Sequence, residues 1–134
     1  MFEPVQKSDP PQLPSNRVIP SLAVLVNPQR MEMLKACCAE LADLSGLSAS
    51  EIVLRHGGGL VLVEQGVAGY DQVILTLAVE RPNTAVIVVS DQLPGHMVRA
   101  LMKLEASDIV PATAGIEEII DAAEQLRETQ SIQG

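Results

Sequence analysis

The stretch NTAVIVVSDQLPGHMVRALMKLEASDIVPAT, from Asn83 to Thr113, constrains the fold of this chain more than any other. It opens on Ala85 to Val89, an apolar run rich in β-branched residues and closed by Ser90-Asp91, the pattern of a strand covered on both faces in a parallel sheet. Beyond Pro94, the residues Met97, Val98, Leu101 and Leu104 recur at helical spacing while Arg99 and Lys103 take another face, which predicts a helix. A second short strand is predicted from Asp108 to Val110. Parallel strands cannot be joined by a tight turn, so strand, helix and strand in so short a stretch predict a right-handed βαβ unit.

Further copies of this unit account for most of the chain. SLAVLV, from Ser21, is a buried-type strand. Asn27-Pro28 supplies an N-cap residue and a proline at the first helical position. A helix is predicted from there to about Asp43, with Met31, Leu34, Cys38 and Leu41 on its apolar face, Met33 and Cys37 beside it, and Ser45-Gly46 as its stop. Leu47 to Gly58 admits two structures. Ser48 and Glu51 match a capping box, which favours a short helix through His56 closed by Gly57. EIVLRH as a strand would leave Gly57-Gly58 as a hairpin-short link to the next strand, so the helix is preferred. GLVLVE, Gly59 to Glu64, is the next strand. Tyr70 to Glu80 is predicted helical, because a strand there would lie too close to the one at Ala85 for a parallel crossover. Thr113 is expected to cap a last helix that carries Ile116, Ile119, Ile120, Ala123 and Leu126 on one face. Alternating strands and helices of this kind make an open α/β sheet with helices on both faces.

Composition narrows what such a domain can do. The 134 residues are 47% hydrophobic, enough for one domain with a sizeable core. A formal net charge of -8 repels nucleic acid and anionic membranes, and one Phe, one Tyr and no Trp leave no stacking platform for single strands. No apolar run reaches membrane-spanning length. Residues 1–20 carry five prolines and no apolar run, and are expected to form a flexible arm ahead of a domain over 21–130 and a tail over 131–134. Glu3 and Asp9 speak against a signal peptide there. Cys37 and Cys38 are adjacent within the predicted helix, where neighbours point apart. A disulfide between them is therefore not expected, and a structural role in a reducing, cytoplasmic setting is.

Two local motifs touch on chemistry. His56-Gly57-Gly58-Gly59 matches the oxyanion-hole loop of lipases and esterases, yet no G-x-S-x-G elbow accompanies it, and glycines in that place also serve an ordinary turn. There is no Walker A or dinucleotide glycine pattern, and His56 and His96 lie far apart in sequence, so no cofactor and no metal are expected. His96 is placed on the solvated start of its helix.

From Leu60 to Leu126 the chain resembles a response-regulator receiver domain. The likeness is carried by LVLVE, Gly69 before a helix, ERPNTAVIVVSD, LMKLEASDIVP and the amphipathic last helix, and it reaches back to SLAVLV. Within receivers, the SDIVPA ending and the degenerate site are most similar to the receiver-like N-terminal domain of the CpaE/TadZ pilus-assembly proteins. The resemblance implies a doubly wound, mainly parallel five-stranded sheet of flavodoxin/CheY-like type, with the second strand or second helix shortened. It also implies a site at the C-terminal edge of that sheet, where receivers hold an acid pair for Mg²⁺, a phosphoacceptor aspartate, a Ser or Thr, and a Lys.

The matching positions here are Asn27 and Pro28 for the acid pair, Glu64 for the phosphoacceptor, Ser90 for the hydroxyl and Ala112 for the lysine. A hard cation loses its carboxylates and a transferring phosphoryl group its cationic partners, so Glu64 should not be phosphorylated. Two roles remain for Glu64: reaching toward Ser90 in imitation of a phosphorylated aspartate, or standing as a solvated acid at a strand end. The resemblance implies a non-enzymatic module that binds protein, by homodimerisation or with a pilus-assembly or signalling partner, possible recruitment to a cell pole or secretion machine included. A phosphorylated two-component switch is the alternative. Receivers commonly dimerise through their last two helices and the strand between, which assigns Arg99, Met102 and Lys103 on one helix, and Glu117, Asp121 and Glu124 on the other, to that face.

Overall fold

The computed structural model describes residues 18–133. The expected arm therefore lies almost wholly outside the described residues. Strand β1, Ile19–Leu25, starts before the expected Ser21 and takes in Pro20. Proline is tolerated in this inner strand because pairing with the third strand begins only at Ala23, so the missing N–H at Pro20 interrupts no ladder on that side.

Asn27 caps α1, Pro28–Lys35, its side chain accepting from the Arg30 N–H, with Pro28 in the first turn as its fixed φ favours. The helix does not run on to Asp43. It stops at Lys35, and Cys38–Asp43 forms β2, a parallel edge strand whose Leu41 and Ala42 lie opposite Leu22 and Ala23 of β1. CAELAD has the residues of a good helix and apolar positions three apart, so its own propensity favours the wrong structure. Pairing with β1 overrides it.

The preferred helix in the next segment is present. Helix α2, Ala49–His56, starts on a complete capping box between Ser48 and Glu51, a device worth about 1 kcal/mol. Strand β3, Leu60–Glu64, leads to α3, Tyr70–Glu80. The βαβ unit that most constrained the sequence follows as β4, Ala85–Val89, α4, Gly95–Met102, and β5, Ala106–Val110. Helix α5, Ile116–Gln133, begins later than a Thr113 cap would place it, with the Ile119 N–H donating to the Gly115 carbonyl, and it extends into the expected tail as far as Gln133. Thr113 sits instead in a turn closed by Ala114 N–H on Pro111 O.

All four ladders are parallel and the strand order is β2-β1-β3-β4-β5, a doubly wound sheet of the flavodoxin/CheY-like kind. Alternation along the inner strands divides the core in two. Leu22, Val24, Leu62 and Ile87 face a layer with Leu34 of α1 and Ile119, Ile120 and Ala123 of α5. Ala23, Leu25, Val61, Val63, Val86 and Val88 face α2, α3 and α4 through Ile52, Ile74, Leu77, Met97 and Leu101. Burying each large side chain contributes about 1.5–3 kcal/mol, and the inner strands read as continuous apolar runs because both their faces are covered. Among the described residues no helix is long and apolar enough to cross a membrane.

Candidate functional site

The topology brings the C-terminal ends of β1, β3, β4 and β5 to one edge, and with them Asn27, Pro28, Glu64, Ser90 and Ala112. In this fold the crevice for ligands lies at that edge, where the chain order reverses between β1 and β3. Here the crevice is filled by the protein's own groups. Glu64 Oε1 accepts from the Asn27 backbone N–H at 3.1 Å and from Arg30 Nε at 3.1 Å, while Oε2 accepts from Asn27 Nδ2 at 2.7 Å. The Arg30 guanidinium reaches further, donating from Nη2 to Ala112 O at 3.0 Å and from Nη1 to Ala114 O at 3.3 Å. One arginine thus joins the end of β3 to the loop between β5 and α5.

Neither expected role of Glu64 survives this geometry. Its side chain is 14% exposed, too buried for a solvated acid. None of its hydrogen bonds goes to Ser90, whose hydroxyl instead donates to Gln65 Oε1 and accepts from the Gln92 N–H. Asp91 Oδ1 takes the Ala112 N–H at 2.9 Å, tying the loops after β4 and β5 together. The extra methylene of glutamate carries the carboxylate toward α1.

Arg30 lies at none of the positions that the receiver resemblance marks. A signal was present: Arg30 and Leu34 are four apart and share the inward face of α1, and they are its two buried residues. A guanidinium on a core-facing stripe requires an acid and several acceptors nearby, since an unpaired buried charge is prohibitive. Chemically, the cluster is a satisfied ion pair. The Asn27 amide is spent on Glu64 and on the Arg30 N–H. Among the described residues, no group of three or more His, Cys, Asp and Glu side chains is placed to hold a metal.

The glycine loop lies at the opposite edge of the sheet and has no N–H left for an oxyanion. Gly57 donates to Val53 O, Gly58 to the buried Thr84 hydroxyl at 2.7 Å and Gly59 to His56 O. His96 is exposed in the first turn of α4, as expected. On the α4–β5–α5 side, Arg99, Lys103, Glu117, Asp121 and Glu124 are all exposed, with Lys103 as the C-cap of α4 rather than within it. Met102 is 76% exposed and Ile109 of β5 42%, and they border a shallow groove of about 260 Å³ between α4 and β5. Ile109 did not figure in the sequence-based face, because the parity of so short a strand does not tell which side stays uncovered. A scan against protein-family models finds no match for this chain, and neither does a search of curated proteins.

Proposed function

We propose that this chain is a receiver-like domain that works without phosphorylation, as a non-enzymatic module binding either a second copy of itself or another protein. The observation that carries this is the occupation of Glu64. Phosphoryl transfer to a carboxylate needs a free acceptor oxygen, a metal to bridge the phosphate and a cation to take up developing charge. Here both oxygens are held by Asn27 and Arg30, and the cation at hand is committed to the loop carbonyls of Ala112 and Ala114. The surface offered to a partner is the one around Met102 and Ile109, together with the exposed Arg99 and Lys103 at the end of α4 and the exposed Glu117, Asp121 and Glu124 of α5. The likeness of SDIVPA to CpaE/TadZ proteins extends the proposal to a cytoplasmic role in the assembly and localisation of a pilus machine.

The test is a titration with Mg²⁺ and beryllofluoride, followed by amide spectra, with acetyl phosphate and intact mass alongside. The expected result is an unchanged spectrum and no added phosphoryl group. Saturable shifts around Glu64 and Ser90, or a phosphorylated mass, would make the chain a phosphorylated switch and overturn the proposal.

A further inference from the structure

The loop between β5 and α5, residues 111–115, has little packing of its own. Pro111, Ala112, Thr113 and Gly115 are exposed, and only Ala114 is buried. Between this loop and α1 lies a cavity of about 290 Å³, bordered by Gln29, Met33, Thr113 and Gly115. The loop therefore spans a gap and is held by hydrogen bonds more than by packing. Three of those bonds come from outside it. Arg30 Nη2 and Nη1 donate to the carbonyls of Ala112 and Ala114, and Asp91 Oδ1 accepts from the Ala112 N–H. Both backbone groups of Ala112 are thus held, one from α1 and the other from the end of β4. A guanidinium carries its donors in one rigid plane, so the bond from Nε to Glu64 fixes the direction of both Nη groups.

We propose that Arg30 and Asp91 are positioning residues for the partner surface: together they hold the β5–α5 loop in one conformation, so that the first turn of α5 keeps a fixed place against β5 with no ligand or modification at Glu64. The loop is the direct chain link between Ile109 on β5 and Glu117 on α5, two residues of that surface. The core anchors α5 from Ile119 and Ile120 onward, so the loop decides where the turn that carries Glu117 lies. Glu64 orients the arginine, the arginine holds the loop, and the loop sets the edge of the face. This rests on the reading of that face as the partner surface, and the experiment separates the two.

The experiment compares the whole chain as wild type, Arg30→Lys and Asp91→Ala, by amide hydrogen exchange and by sedimentation equilibrium. Arg30→Lys keeps a cation against Glu64, so no unpaired charge is buried, but an ammonium lacks the fork that spans two carbonyls. Asp91 is exposed, so its variant tests the second hold on a folded chain. The reporters are the Ala114 and Ile119 amides, bonded to Pro111 O and Gly115 O, set against those of Val63 and Val88 in the buried strands, which follow global opening. Relative to the strand amides, the reporters should exchange about tenfold faster in Arg30→Lys, the effect of two lost hydrogen bonds, and about threefold faster in Asp91→Ala, the effect of one. Self-association should weaken about threefold in Arg30→Lys, because binding must then also order the loop. Circular dichroism checks folding, and Asp91→Ala decides alone if Arg30→Lys is unfolded. Unchanged relative exchange in a folded variant overturns the proposal, and so does a loosened loop with self-association as tight as in wild type. A wild-type chain that stays monomeric removes self-association as the role of the face, while the exchange of Ala114 and Ile119 still decides whether Arg30 and Asp91 hold the loop.

Discussion

Arg30 determines what the edge of this sheet can do. Its side chain is 9% exposed and that of Glu64 14%, so their ion pair lies largely out of water and depends on every donor finding an acceptor. Removing one partner strands the other. Arg30→Met is expected to cost about 3 kcal/mol in denaturant unfolding, because Glu64 is left with Asn27 alone and two loop carbonyls lose their donor. Adding Glu64→Leu should recover part of that loss, since an apolar pair no longer buries an unpaired charge. A double variant that loses the sum of the two single costs would show that the pair does not act as a unit. The residue identities at Asn27, Pro28 and Ala112 already showed in sequence that neither a carboxylate nor a lysine stands at these positions. What holds Glu64 was not legible there, because the glutamate's direction depends on where α1 presents Arg30.

Among the elements, those whose local signals agreed with the fold were readable. The Ser48–Glu51 capping box, the Asn27-Pro28 start and the apolar runs at Leu60 and Ala85 all became what their patterns predicted. Strand β2 was not readable, because its residues favour a helix and only the ladder with β1 makes it a strand. The glycine loop between α2 and β3 offers a test of packing against backbone conformation. Gly57 has ordinary φ, but a Cβ there would meet Val53 O at 2.5 Å and Arg81 Cγ at 2.7 Å. Gly46, at φ 82°, has nothing within 4 Å of that position. Gly46→Ala should therefore cost about 1 kcal/mol, the strain of left-handed backbone alone. Gly57→Ala should cost more, about 3 kcal/mol, through overpacking against the last carbonyls of α2. Equal losses in urea unfolding would contradict the close approach.

For the whole molecule, the charges on α4 and α5 make the proposed self-association testable. A two-fold axis along the β5 edge would set Arg99 and Lys103 of one copy against Asp121 and Glu124 of the other. Exposed pairs of that kind contribute roughly 0.2–1 kcal/mol each and weaken with salt, so they would select the register while Met102 and Ile109 supply apolar contact. Arg99→Glu with Lys103→Glu is expected to shift sedimentation toward monomer without unfolding, and Asp121→Lys with Glu124→Lys to restore association in part. A wild-type chain that is monomeric at high concentration would exclude this face as a self-association surface. The sequence by itself determined the alternation of strands and helices over most of the chain, the two-faced burial of the inner strands and the absence of a carboxylate at positions 27 and 28. These follow from periodicity and residue chemistry, which are local. The tertiary structure alone decided that CAELAD is a strand and that Glu64 is held by Arg30. Both depend on partners distant in the chain, Ile19 and Val24 for β2, and Ala112 and Ala114 for the arginine. Interactions between such distant residues exist only once the sheet has brought its strands together.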